Sequence, residues 1–305
     1  MAEFVVIYET VHGSHAYGLA TEESDLDLKG VMVGPRDWYH GFQAPPEQIE
    51  LTADHVLYEA RKFFRLAAAA NPTIIELLWT DPSDHRVATA EGARLLEHRD
   101  DFLSTRVRDT FVGYALSQLK RIKGHRSWLL SPPKQEPSRK EYGLPETTLI
   151  AKDQLRAAEV MIEQGKIEAA ELTPNFIEIM QRERAYRQAR REWDNYQSWK
   201  RNRNPVRAQL EAQFGYDTKH AQHLVRMLRM GVEILRDGEV RVRRDDAEEL
   251  RAIRSGVWSY DELVERAERL GAQVRGAAQA SALPEVPDEE RLNALCAEIV
   301  ESILR

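Results

Sequence analysis

The sequence predicts a compact α/β core at the amino end, followed by a mostly α-helical region. Three observations carry this reading. A hydrophobic run, Phe4-Val5-Val6-Ile7-Tyr8, leads to a turn at Gly13-Ser14, as a buried strand does. Aspartate and leucine then alternate through Asp25-Leu26-Asp27-Leu28, the period of a strand with two unlike faces. From about Asp84 onward the apolar spacing is that of helix after helix.

The elements follow in order. Val31-Met32-Val33 continues the second strand until Gly34-Pro35 stops it. Trp38 to Pro46 reads as a loop. Ile49-Glu50-Leu51 and His55-Val56-Leu57-Tyr58 read as strands around a turn near Ala53-Asp54. Arg61 to Ala70 is helical, with Phe63, Phe64, Leu66 and Ala67 on one face, and Asn71-Pro72 ends it. The next helix starts near Pro72 and buries Ile75, Leu78 and Trp79. Phe111, Ala115, Leu119 and Ile122 recur at helical spacing, and Leu155 to Ile162 is helical. Ser131-Pro132-Pro133 and Gly143-Leu144-Pro145 bracket an extended stretch. Thr173-Pro174 opens a long polar helix towards Asn204-Pro205. Asp217 caps another helix, which ends at Gly238, and Ser259 to Glu262 form a capping box. Pro287 precedes the last helix. The change from α/β to α-helical falls between residues 80 and 100, giving a core over 1–90 and a helical region over 91–305.

Composition bounds the function. The chain has 305 residues, 30% charged and 42% hydrophobic, as in an ordinary globular protein. The net charge of −7 gives no global attraction to nucleic acid, so any such attraction is local. Cys296 is the only cysteine, which excludes an intrachain disulfide and a cysteine-cluster metal site. That usage fits a reducing compartment, and the expectation is a cytoplasmic protein. Met1-Ala2-Glu3-Phe4 has no basic n-region, and no stretch approaches a membrane span, so no membrane partner is expected.

Chemistry concentrates between Gly13 and Gly30. On a strand, Asp25 and Asp27 present two carboxylates side by side, with Leu26 and Leu28 towards the core. Adjacent carboxylates repel unless a cation lies between them, and Mg²⁺ takes such oxygen ligands together with substrate phosphates. The amides and hydroxyl of Gly13-Ser14 can receive a phosphate. A tight turn with loop-solvated aspartates is the alternative.

Apolar strand, Gly-Ser, spacer and Asp-x-Asp together resemble the nucleotidyltransferases of the DNA polymerase β superfamily. The resemblance implies a nucleotidyltransferase core with a small mixed sheet. It also implies transfer of an NMP from an NTP, ATP included, to an acceptor hydroxyl, using Mg²⁺ or Mn²⁺. A third acid is expected on the strand after Asp-x-Asp. Glu59, between Tyr58 and Ala60, is preferred to Asp54. Asp25, Asp27 and Glu59 are thus the expected catalytic and metal-holding set. Gly13, Ser14, His15 and Ser24 are the expected phosphate side. Tyr58 to Phe63, Asn71 to Trp79, Lys123 to Pro133 and Lys219 to Arg226 are similar to a phage and bacterial subgroup of predicted nucleotidyltransferases. That subgroup is related to RNA-ligase-associated nucleotidyltransferases.

Three basic groups complete the reading. Lys219, His223 and Arg226 follow at i, i+4 and i+7 and share a helix face that could hold the outer phosphates or the pyrophosphate, or be a solvated surface. Lys120 to Lys140 form a second cluster around Trp128; its Lys123 and Arg126 are expected to bind an acceptor, RNA or another nucleic acid. A third cluster, Arg182 to Arg203, is interleaved with Tyr186, Trp193, Tyr196 and Trp199 and reads as core rings with paired arginines. The rival functions are a nucleotide- or RNA-binding module without catalysis, a glycosyltransferase and a phosphohydrolase. Composition is silent on oligomeric state.

Overall fold

Strand β1 (Val5–His12) runs into a one-turn helix, α1 (Gly13–Ala16), and β2 (Asp27–Val33) returns antiparallel to it, setting His12 opposite Asp27 and Val5 opposite Val33. The structure is a computed structural model that describes residues 4–22, 24–42, 44–148, 151–163 and 174–305. A short α2 (Asp37–His40) lies within the stretch expected to be a loop. Strands β3 (Gln48–Thr52) and β4 (His55–Glu59) then form an antiparallel pair. Strand β4 is parallel to β2, so the sheet is mixed, with the order β3-β4-β2-β1-β5. Its last strand, β5 (His85–Ala88), pairs with β1 at the other edge. Four residues are too few to show a strand period, which is why β5 is not legible in the sequence.

Helices α3 (Ala60–Ala68) and α4 (Pro72–Leu78) form where expected. Phe63, Phe64 and Ala67 are buried, and the Asn71 side chain accepts the Ile74 N–H to start α4. Helix α4 covers the sheet face carrying Tyr8, Thr10 and His12. The Tyr8 hydroxyl donates to the Leu77 carbonyl at 2.7 Å, and Thr10 bonds Thr80 at 2.8 Å. Paired residues share a face, so Asp27 belongs to this side of the sheet. Leu26 is exposed, correcting the expectation that it faces the core: the strand begins only at Asp27, so the alternation does not reach it.

The remaining helices are α5 (Ala90–Glu97), α6 (Val107–Leu130), α7 (Lys152–Glu163), α8 (Pro174–Arg201), α9 (Pro205–Phe214), α10 (Thr218–Asp237), α11 (Ala247–Arg254), α12 (Tyr260–Ala280) and α13 (Glu289–Leu304). The expected stripe of α6 is buried. The Asp217 carboxylate caps α10 through the His220 N–H at 3.0 Å, and Gly238 ends it with φ +70°. Ser259 and Glu262 make both bonds of a capping box on α12. The cap expected at Thr173 lies outside the described residues. A 3-10 turn at Arg139–Tyr142 interrupts the stretch expected to be extended.

The chain divides into two compact units, 1–123 with 210–305, and 124–209. The composition change near residue 90 marks a switch of secondary structure and not a domain boundary, because α10 to α13 belong with the strands. In the first unit α13 packs on α3, and α10 on α11 and α12. In the second, Trp128, Tyr196 and Trp199 pack ring against ring within 5.9 Å. Arg139 pairs with the buried Glu183, which also lies 3.5 Å from Arg187, and Arg190 pairs with Glu136 and Asp194. In the third basic cluster the rings of Tyr196 and Trp199 are thus packed, and Arg182, Arg187 and Arg190 are paired with acids. Trp128 and Arg139 of the second cluster serve the same packing. Among the described residues no helix is long and apolar enough to cross a membrane.

Candidate active site

Gly13 and Asp27 meet at the end of the β1–β2 ladder. Gly13 has φ +67°, a conformation that side chains other than glycine's rarely adopt. A Cβ placed on it would lie 2.1 Å from Asp27 Oδ2, so the carboxylate rests against the bare Cα. The hydrogen-bonded turn that follows is compact: the Tyr17 N–H donates to Gly13 O at 3.1 Å, and the Leu19 N–H to Ser14 O at 2.8 Å. His15 Nε2 is 3.2 Å from the Ser24 carbonyl, tying the turn to the segment that enters Asp25. Gly13, Ser14, His15, Ser24 and Asp27 are therefore gathered in one place, and Asp25 is exposed just before β2. Gly13→Ala combines the left-handed backbone penalty, about 1–2 kcal/mol, with displacement of Asp27. It is expected to lower the melting temperature and to remove any Asp27-dependent activity; equal activity would contradict this packing.

Glu59 is elsewhere. The parallel register pairs Met32 with Glu59, five residues along β2 from Asp27 and, five being odd, on the opposite face. Its buried carboxylate accepts the Tyr39 hydroxyl at 3.0 Å, Arg61 Nε at 3.1 Å and the Lys62 N–H at 3.3 Å. It caps α3 and is held there. An acid between apolar residues is the pattern of a strand-borne ligand and of a helix-capping acid alike, and here it is the cap. Asp54 is better placed: its carbonyl accepts the Leu28 N–H at 2.7 Å, and one step back from the Leu28–His55 pair sets it level with Asp27. Glu59→Gln is expected to weaken the fold by about 1–3 kcal/mol, the range for a disturbed buried hydrogen-bonded charge, and to leave turnover nearly intact. Asp54→Asn is expected to do the reverse. Chemical denaturation and steady-state rates on the two variants check both.

Beneath the turn lies a buried network that sequence reading missed. Glu76, on α4, accepts the Tyr17 hydroxyl at 2.6 Å and Arg226 Nη1 at 2.6 Å, and is 3.2 Å from His12 Nε2. Arg226 lies 3.6 Å from the centre of the Tyr17 ring, and its Nη2 is 3.2 Å from His223 Nδ1. His223 Nε2 meets the Tyr114 hydroxyl at 3.1 Å. Arg226 is only 1% exposed, which corrects its expected place on a phosphate-facing helix surface: its charge is committed to Glu76. Lys219 is exposed and His223 partly buried on the same helix. Burial alone raises the carboxyl pKa of Glu76, but Arg226, His12 and Tyr17 outweigh it and hold it far below the carboxylate range. Burial, and then the neighbouring Arg226, push His223 down to about 3, so it is neutral near pH 7. The legible signal was Glu76 itself, an acid inside the apolar helix Pro72-Thr73-Ile74-Ile75-Glu76-Leu77-Leu78, which demands a buried partner.

Residues 1–141 match the model of a family described as the RNA repair pathway DNA polymerase beta family. The match makes the amino-terminal part of this chain similar to the nucleotidyltransferases of the DNA polymerase beta superfamily. Two relatives share parts of it. An uncharacterized 38.9 kDa protein from the nrdC–mobD intergenic region of Enterobacteria phage T4 is 28% identical over 137 residues, 39% of this chain and 40% of that protein. The uncharacterized protein YcgL of Bacillus subtilis (strain 168) is 30% identical over 96 residues, 30% of this chain and 37% of that protein. The chain spans about two fifths of the length of these curated relatives. No solved structure matches. The family match stops at 141, so the matched part holds the turn, both aspartates, Glu76 and Lys123 and Arg126, whereas Arg226 lies beyond it.

Proposed function

We propose that the chain is a metal-dependent nucleotidyltransferase that moves an NMP from an NTP to an acceptor hydroxyl and releases pyrophosphate. The observation that supports this most is the meeting of the Gly13 turn with the Asp27 carboxylate. Among the described residues neither Asp25 nor Asp27 carries an ion pair. Two carboxylates without an ion pair among the described residues, one of them resting against the Gly13 Cα, suit a hard divalent ion such as Mg²⁺ or Mn²⁺. Such an ion, when bound, neutralises charge on the phosphates and lowers the pKa of the attacking hydroxyl.

The chain's own groups do the rest. Gly13, Ser14 and His15 hold the outer phosphates, and Ser24 fixes the entry to Asp25. Asp54, level with Asp27, is the acid the register favours for the third place. On α10, exposed Lys219 offers a cation to the leaving pyrophosphate, while neutral His223 offers only hydrogen bonding. The described family belongs to an RNA repair pathway, which supports RNA as the acceptor. Lys123 and Arg126 lie one turn apart on α6 and would follow its backbone. The double variant Lys123→Ala/Arg126→Ala is expected to weaken RNA binding and to flatten its salt dependence, by about 0.7 in log–log slope for each phosphate that is no longer neutralised. Filter binding from 50 to 200 mM salt reads this; an unchanged slope contradicts it. The reading as a whole is tested by incubating the protein with α-labelled NTPs and pools of RNA, DNA and protein. Metal-dependent label on an acceptor is expected. Bound but untransferred nucleotide would make the chain a binding module instead.

A further inference from the structure

We propose that Glu76 is a positioning residue that clamps the Gly13–Ala16 turn at both ends and so sets it against Asp27. The inference rests on the nucleotidyltransferase reading for its consequence, but its geometry stands alone. His12 is the residue before α1 and Tyr17 the residue after it. Both side chains reach the same carboxylate, at 3.2 and 2.6 Å, and touch each other at 3.2 Å. One buried group thus fixes the two anchors of the four-residue turn that carries Ser14 and His15.

The clamp is itself held from the far end of the sequence. Arg226 of α10 pairs with Glu76 and lies over the ring of Tyr17, so it bears on the carboxylate and on one anchor at once. The Arg244 N–H donates to the Tyr17 carbonyl at 3.1 Å, and Arg251 Nη2 to the Gly18 carbonyl at 2.9 Å. Residues 210–305 therefore contribute to the turn by holding its exit. A turn that must face two carboxylates and a polyanionic ligand gains from such support, because a displacement of about 1 Å at a reacting group can lower a rate about 100-fold.

The decisive variant is Tyr17→Phe, which keeps the ring beneath Arg226 and removes the hydroxyl that joins Glu76 and His12. Two measurements are made on the full chain. Amide exchange at Tyr17, Gly18 and Leu19 reads the turn, since these N–H groups close it. Calorimetry with Mg²⁺ and the four α,β-nonhydrolysable NTPs reads its use. Exchange about tenfold faster at those three amides, with the β1–β2 ladder unchanged, is expected, the loss of one hydrogen bond to a charged group being worth about that factor. Binding of the preferred analogue is expected to weaken by a similar factor. Unchanged exchange at the three amides, or an equal rise throughout the fold, overturns the clamp. Faster exchange there with unchanged analogue binding overturns its positioning role. If the unsubstituted protein binds none of the analogues, the nucleotidyltransferase reading fails, and the exchange arm alone decides the clamp.

Discussion

Asp27→Asn is expected to reduce nucleotidyl transfer by about three orders of magnitude or more, with little change in melting temperature. The rate effect follows from the several kcal/mol of charge stabilisation that a carboxylate-held divalent ion supplies. The small stability effect follows from the setting: Asp27 has no ion pair among the described residues and only partial burial, and amide and carboxylate have nearly the same shape. Asp25→Asn is expected to act in the same direction. Mn²⁺ binding followed by electron paramagnetic resonance separates loss of the metal from loss of the fold. Full activity in Asp27→Asn at saturating Mg²⁺ would remove the aspartates from the proposed site.

Glu76→Gln has the largest expected effect on stability, a loss of about 3–5 kcal/mol, because it leaves the Arg226 cation buried without its partner. Glu76 and Arg226 are 1–2% exposed at their side chains, and no water replaces the lost charge cheaply. Adding Arg226→Met to Glu76→Gln is expected to recover most of the loss, since removing both charges removes the desolvation problem. Urea denaturation of the single and double variants gives the comparison. The same network sets a pH dependence. The folded-state pKa of Glu76 is depressed, so its contribution is present above the ordinary 4.5 and is lost as pH falls below it. His223 also has a depressed value, about 3 against 6.5, so the unfolded chain binds a proton between those values that the folded chain refuses. Both effects have the same sign: stability is expected to fall as pH drops from about 6.5 to 3. In the double variant the Glu76 part of that slope should vanish.

Much of the fold was legible because its signals are local. The Val5–Tyr8 run, the Asn71-Pro72 break, the Asp217 and Ser259 caps and the Gly238 stop each depend on a few adjacent residues, and each is where the sequence places it. The gathering of Gly13, Ser14, His15, Ser24 and Asp27 was legible for a related reason: β1 and β2 are consecutive antiparallel strands, so the end of one meets the start of the other. What failed depends on distant pairing. Glu59 and Asp54 lie five residues apart on one segment, and only the β2–β4 register tells which is level with Asp27. Arg226 looked like a surface cation because its helix face is readable but its partner, 150 residues away, is not. The division of the chain failed likewise, since α10 to α13 return to the strands after a separate unit over 124–209.

The central claim is that this turn and these aspartates split an NTP between its α- and β-phosphates. The direct measurement is the phosphate product formed from each of the four NTPs, with Mg²⁺ and the RNA, DNA and protein acceptor pools, by the unsubstituted chain and by Asp27→Asn. Pyrophosphate from the unsubstituted chain, and none from the variant, is the predicted result. Orthophosphate in its place, or no phosphate product from any NTP, contradicts the account.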